Sequence, residues 1–143
     1  MEIKKQVNKK KVVLVFGTFD LLHLGHVDLF KQARKYGDYL VAVVARDKTV
    51  LQVKKIKPIH SEKIRLKTVS KQVDKAVLGN IDDKYAVILK INPDVICLGY
   101  DQTSFTGNLR KILSERGISP LIVRLKPHKE EIYKSSIMRK KIK

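Results

Sequence analysis

Five short apolar runs, each set off from the next by a longer polar or amphipathic stretch, constrain this chain more than any other feature. They are Val12 to Phe16, Tyr39 to Ala45, Ala76 to Leu78, Val95 to Leu98 and Leu121 to Leu125. A strand with one wet face alternates apolar with polar residues, whereas nearly unbroken Val, Ile and Leu runs fit parallel strands covered on both faces by helices. The intervening stretches carry helix signals. His26 to Tyr36 is stopped by Gly37, Ser61 to Gln72 is capped by Ser61, Asp83 to Ile91 is stopped by Asn92-Pro93, and Ser104 to Arg116 is stopped by Gly117. Val27, Phe30 and Ala33 or Arg34 turn one face of the first helix inward. A last helix is expected over Ser135 to Ile142, while Lys48 to His60, with Pro58, and Lys126 to Lys134, with Pro127, read as irregular. This alternation predicts an α/β fold: a doubly wound, Rossmann-like domain with a mainly parallel five-stranded sheet. At 143 residues the chain is expected to form a single domain over residues 1–143, with residues 1–10 as a basic N-terminal extension.

Composition narrows the partners. No apolar run approaches the roughly 18 to 20 residues of a membrane span. The basic N-terminus leads into an apolar run that reads as a core strand, so no signal peptide is expected and the protein is placed in the cytoplasm. Cys97 is the only cysteine, which excludes an internal disulfide or a cysteine-based zinc site, and its apolar neighbours make it a core thiol. The net charge of +17, from 31 Lys and Arg against 14 Asp and Glu, favours a phosphorylated partner. The same excess also suits a Lys-rich composition with most lysines merely solvated. The basic residues are not interleaved with aromatics into a base-stacking platform, so nucleic acid is not the expected partner.

In a sheet of this kind ligands bind at the carboxyl ends of strands, where the chain switches faces. The loops after the first and fourth runs are Gly17-Thr18-Phe19-Asp20-Leu21-Leu22-His23-Leu24-Gly25-His26 and Gly99-Tyr100-Asp101-Gln102. Gly17 lets the main chain approach a ligand, so that Thr18 and Phe19 can offer amides to phosphate oxygens. Gly25 keeps space clear between the histidines. With His26 at the helix start, its ring and the first-turn amides point to one spot, and His23 lies a turn earlier. One such histidine alone reads as a core residue; the pair at a strand-to-helix turn reads as a phosphate site. The pair has no third ligand nearby, so no protein-bound metal is expected.

These residues resemble the signature of the HxGH nucleotidyltransferases, the cytidylyltransferase-like superfamily that includes glycerol-3-phosphate and phosphocholine cytidylyltransferases, phosphopantetheine adenylyltransferase and the archaeal FAD synthases. Further similar stretches are Ala45-Arg46-Asp47-Lys48-Thr49-Val50, Leu98-Gly99-Tyr100-Asp101-Gln102 and Tyr133-Lys134-Ser135-Ser136-Ile137-Met138-Arg139. The first two forms are most similar to archaeal FAD synthase. The resemblance implies that ATP and FMN are the substrates, with Mg2+ as the divalent cation bound with the triphosphate, and that AMP passes to FMN with release of pyrophosphate. The alternative is a cytidylyltransferase joining CTP to a small phosphorylated alcohol such as glycerol 3-phosphate. It further implies that His23 and His26 contact the phosphates and the reacting centre and that Thr18, Phe19, Leu24 and Gly25 complete the nucleotide loop. Asp101 would hold the ribose, Ser135 and Ser136 the triphosphate, and Tyr133 would line the pocket. Lys54 and Lys55 would reach over the phosphates and Arg139 would support them. Without the resemblance, Ser135 reads as a helix cap and the two lysines as solvated. Only two hydroxyl residues stand at the C-terminal motif, where the family carries three, and Gln102 stands where the glycerol-3-phosphate enzymes carry Trp. A homodimer is the family expectation.

Overall fold

Strand β1 (Val12–Gly17) lies at the centre of the molecule, and the rest of the fold is built outward from it in both directions. In chain order there follow α1 (Leu24–Arg34), β2 (Tyr39–Val44), α2 (Asp47–Lys54), α3 (Glu62–Ser70), β3 (Lys75–Leu78), α4 (Ala86–Ile91), β4 (Val95–Leu98), α5 (Leu109–Glu115) and β5 (Leu121–Arg124). The computed structural model describes residues 10–103 and 106–127. All four strand pairings are parallel, in the spatial order β3-β2-β1-β4-β5. The direction of winding therefore reverses between β1 and β4, as the expected doubly wound sheet requires.

The unbroken apolar runs are explained by two cores. Val13 and Val15 of β1 join Leu40, Ala42, Val95 and Cys97 in a layer against Phe30 and Ala33 of α1 and Val69 of α3. Leu14 and Phe16 join Val41, Val43, Ile96 and Leu98 in the opposite layer, against Ile88 of α4 and Leu109 and Leu113 of α5. Each buried Val or Leu contributes about 1.5–3 kcal/mol, and pleat alternation sends successive residues of the central strands to opposite layers. Cys97 is fully buried in the first of these, and that burial pushes its thiol up to about 11, which makes it the expected core residue.

Register is held at the amino ends of the strands by one repeated device. Asp38, Asp94 and Asp74 each precede a strand, and their carboxylates accept from the backbone N–H of Lys11, Val12 and Leu40 at 2.9, 2.8 and 2.8 Å. The opposite, carboxyl ends are left to build a site.

Several expected boundaries move. Residues 48–60, read as irregular, contain all but the first residue of α2: Asp47 in its first turn and Lys54 in its last suit the helix dipole, and buried Val50 anchors it. The helix expected from Ser104 begins at Leu109 after a turn over 106–108, and that expected from Asp83 begins at Ala86. In α1, Phe30 and Ala33 face inward as expected, but Val27 is 43% exposed. The Ser61 cap is present, its hydroxyl accepting from Ile64 N–H, and Asn92 and Gly117 close their helices with φ of 51° and 95°. The helix expected over Ser135 to Ile142 lies outside the described residues. Among the described residues no helix is long and apolar enough to cross a membrane.

Candidate active site

A cleft of about 620 Å³ opens at the carboxyl ends of the strands, across the switch point between β1 and β4. Its walls are the loop after β1, the segment from Ala45 through α2 to Ile59, Gly79 and Asn80 after β3, and Gly99 to Thr103 after β4.

His23 and His26 both line it. The expectation that His26 opens the helix is corrected: α1 starts at Leu24, His23 is the N-cap, and His26 sits at the third helical position. The His23 Nδ1 accepts from Gly25 N–H at 3.0 Å, and the His26 Nδ1 accepts from His23 N–H at 3.3 Å. Two first-turn amides are thus satisfied by imidazoles instead of being left for an anion, which corrects the picture of a first turn wholly open to ligand. A ring whose Nδ1 accepts holds its proton on Nε2, so both tautomers are set by the cap. The rings stack with centroids 4.0 Å apart and planes 25° apart. Burial, then the neighbouring His23, then Lys54, push His26 down from 6.5 to about 4. His26 is therefore neutral at neutral pH, a hydrogen-bond donor and not a cation.

The turn before the pair is shaped by Phe19. Its ring is buried, packs edge-on to His26 at 5.5 Å and tilts against Phe30 at 5.4 Å. The left-handed residues of this turn are Phe19 and Leu21, with φ of 54° and 56°. Gly17 is required for space: a Cβ there would lie 2.6 Å from the tip of the Phe19 ring. Phe19 can serve a ligand only through its main chain.

A polar network that sequence reasoning missed ties this turn to the far wall. The Arg65 side chain, in a residue 1% exposed, donates to the carbonyls of Thr18 at 2.7 Å and His60 at 3.0 Å and to the Asp47 carboxylate at 2.7 Å. Asp47 and Glu62 exchange backbone-to-carboxylate bonds at 2.8 and 3.2 Å, and Arg46 bonds Glu62 at 3.0 Å. Asp20 accepts from Ile59 and His60 N–H at 2.6 and 2.9 Å. Desolvation opposes the Asp20 charge, but the His60 and Ile59 amides outweigh it and hold the carboxyl below its usual range; at Asp47 desolvation is outweighed by Arg65 in the same way. One signal was available: Arg65 stands four residues before buried Val69, on the inward face of α3 where an apolar residue belongs.

After β4, Asp101 lies on the cleft wall. Gln102 is a scaffold: it accepts from Gly99 N–H at 3.1 Å and donates to the Phe16 carbonyl at 3.3 Å, so it joins the ends of β4 and β1. Arg124 donates to the Gly99 carbonyl at 2.8 Å and to the Gln102 carbonyl. Thr18, Gly25 and Lys54 line the cleft with the histidines. Leu24 does not, its side chain being exposed at the start of α1, and Lys55 forms the left-handed C-cap of α2 outside the lining. Tyr133, Ser135, Ser136 and Arg139 lie outside the described residues. Among the described residues no cluster of three or more His, Cys, Asp or Glu could cage a metal.

Fold and cleft together define a doubly wound α/β protein with paired imidazole donors at its switch point. The cytidylyltransferase-like family model matches residues 14–141. The FAD synthase of Thermoplasma acidophilum is 42% identical over 132 residues, covering 91% of this chain and 92% of its own. That of Methanococcoides burtonii is 49% identical over 115 residues, covering 79% of each. A crystal structure titled as the lipopolysaccharide core biosynthesis protein of Thermoplasma volcanium superposes with a TM-score of 0.78 at 40% identity, over 83% of this chain and 98% of that one. The chain belongs to the cytidylyltransferase-like family. It is a nucleotidyltransferase.

Proposed function

We propose that this chain is an FAD synthase, transferring AMP from ATP to FMN in the cytoplasm. The observation that carries the reading is its identity of 42–49% with proteins named FAD synthase, over 79–91% of its length. The cleft supports it chemically.

A phosphate oxygen of FMN attacks the α-phosphorus of ATP, the bond from that phosphorus to the bridging oxygen breaks, and pyrophosphate leaves with magnesium. The attacking phosphate monoester is already ionised at neutral pH, its second pKa being about 6, so no general base is required. The protein must bring two anions together in line and absorb the charge that builds on the α-phosphate. His23 and His26 serve as Nε2–H donors to that phosphate, and neutrality at His26 leaves it a donor at working pH. The main chain of Thr18 and Phe19 meets the phosphates, Gly25 leaves room for them between the histidines, and Lys54, beside His26, supplies positive charge. Asp101 takes the ribose hydroxyls, and the family resemblance assigns Tyr133, Ser135, Ser136 and Arg139, which lie outside the described residues, to the same nucleotide. Magnesium enters as part of the nucleotide substrate and neutralises the leaving pyrophosphate.

Pyrophosphate release with ATP and FMN, compared with CTP and glycerol 3-phosphate, tests the reading. Turnover confined to the second pair would replace it with CDP-alcohol synthesis.

A further inference from the structure

Arg65 is a buried charge to which the reaction as described gives no part. Burying a guanidinium is costly unless its donors are satisfied, and here three segments satisfy it: the turn after β1 through Thr18, the entry to α2 through Asp47, and the entry to α3 through His60. The Thr18 contact has a geometric consequence. The described residues contain no cis peptide bond, and in a trans peptide the C=O and the following N–H point to opposite sides. With the Thr18 carbonyl drawn into Arg65 at 2.7 Å, the Phe19 N–H is turned away from it. Both residues line the cleft, and among the described residues the Phe19 N–H donates to no other group. Phe19 is held left-handed, with its ring against His26.

We propose that Arg65 is a positioning residue: by gripping the Thr18 carbonyl it fixes the Thr18–Phe19 peptide so that the Phe19 N–H stands as a preorganised donor to the reacting phosphate, beside the histidines. Asp47 and the His60 carbonyl hold the guanidinium in the orientation this demands. The inference rests on the nucleotide-binding reading of the first loop, and not on which acceptor the enzyme uses.

The test labels the protein with 15N-phenylalanine, which gives a readable amide spectrum because the chain has only 4 Phe. On saturation with magnesium and ATP, or with CTP should that be the nucleotide bound, the Phe19 amide proton is expected to move downfield. In Arg65→Lys, which keeps the charge but not the fork that reaches three acceptors, that response should be lost. Assayed well below its melting midpoint, the variant's kcat should fall about 10²-fold, the scale for one preorganised donor, while KM for the nucleotide changes by less than about threefold. Should Arg65→Lys fail to fold, Asp47→Asn exchanges the charged anchor for a neutral acceptor and should weaken both the amide response and kcat, by about tenfold in the latter. An unmoved Phe19 amide in the saturated wild type overturns the proposal, as do a wild-type response and kcat in the folded variant. A Phe19 response that is present in wild-type protein making no FAD and is lost in Arg65→Lys would reject the FAD synthase reading and uphold this one.

Discussion

The His26 Nδ1 accepts from the backbone N–H of His23 while the two rings stack 4.0 Å apart, so one histidine is oriented by the main chain of the other. The pair is a helix cap and a candidate catalytic pair at once, and substitution can separate the two roles. His23→Ala should lose the cap, about 1 kcal/mol, together with about 10²- to 10³-fold in turnover. Asn is an equally good N-cap, so His23→Asn should lie within about 0.5 kcal/mol of the wild type in chemical denaturation and still lose about 10²- to 10³-fold in kcat. His26→Ala should show a kcat loss of the same order. Unchanged turnover in both His23→Asn and His26→Ala would remove the pair from the chemistry.

The low value at His26 predicts a pH dependence with a definite sign. In the unfolded chain this ring titrates at its ordinary 6.5, and in the folded protein at about 4. Between these values the unfolded state holds more protons, so stability rises with pH across that window. The contribution is complete above 6.5 and is lost as pH falls toward 4. Thermal melting at pH 7, 5.5 and 4.5 should show the decline, His26→Gln should flatten it, and an NMR titration should place the His26 midpoint near 4. A midpoint near 6.5 would show the ring to be solvated and unconstrained.

Gly17→Ala should be damaging although it adds one methyl group. The new Cβ would meet three atoms of the Phe19 ring at 2.6 to 2.9 Å, and that ring is wedged between His26 and Phe30. Overpacking of this kind costs about 1–3 kcal/mol, and the displaced ring would carry His26 with it. The expected result is a lower melting midpoint and a loss of kcat larger than the unfolded fraction explains. Wild-type kinetics would show that the turn relaxes freely.

What was legible in the sequence follows from what each residue type signals. The five strands announce themselves because parallel strands are apolar on both faces, and their order locates the switch point before any coordinates. Ser61, Asn92 and Gly117 mark helix ends by local chemistry alone. Helix α2 was hidden because its β-branched Thr49, Val50 and Val53 carry little helical signal, while Pro58 suggested a loop starting too early. Gly17 was read as the residue that lets the main chain approach a ligand; that it also makes room for a ring two residues away could not be seen, because such a contact leaves no trace in spacing. Arg65 could be suspected only from its place on an inward face. Its partners Thr18, Asp47 and His60 are brought to it by tertiary packing, which no local pattern records.

The central claim is that this cleft joins an adenylyl group to a flavin phosphate. Purified protein incubated with ATP, magnesium and FMN and resolved by chromatography should yield FAD and one equivalent of pyrophosphate, with His26→Ala reduced about 10²- to 10³-fold. No FAD from the wild-type protein under conditions where CTP and glycerol 3-phosphate release pyrophosphate, or where neither pair reacts, would contradict it.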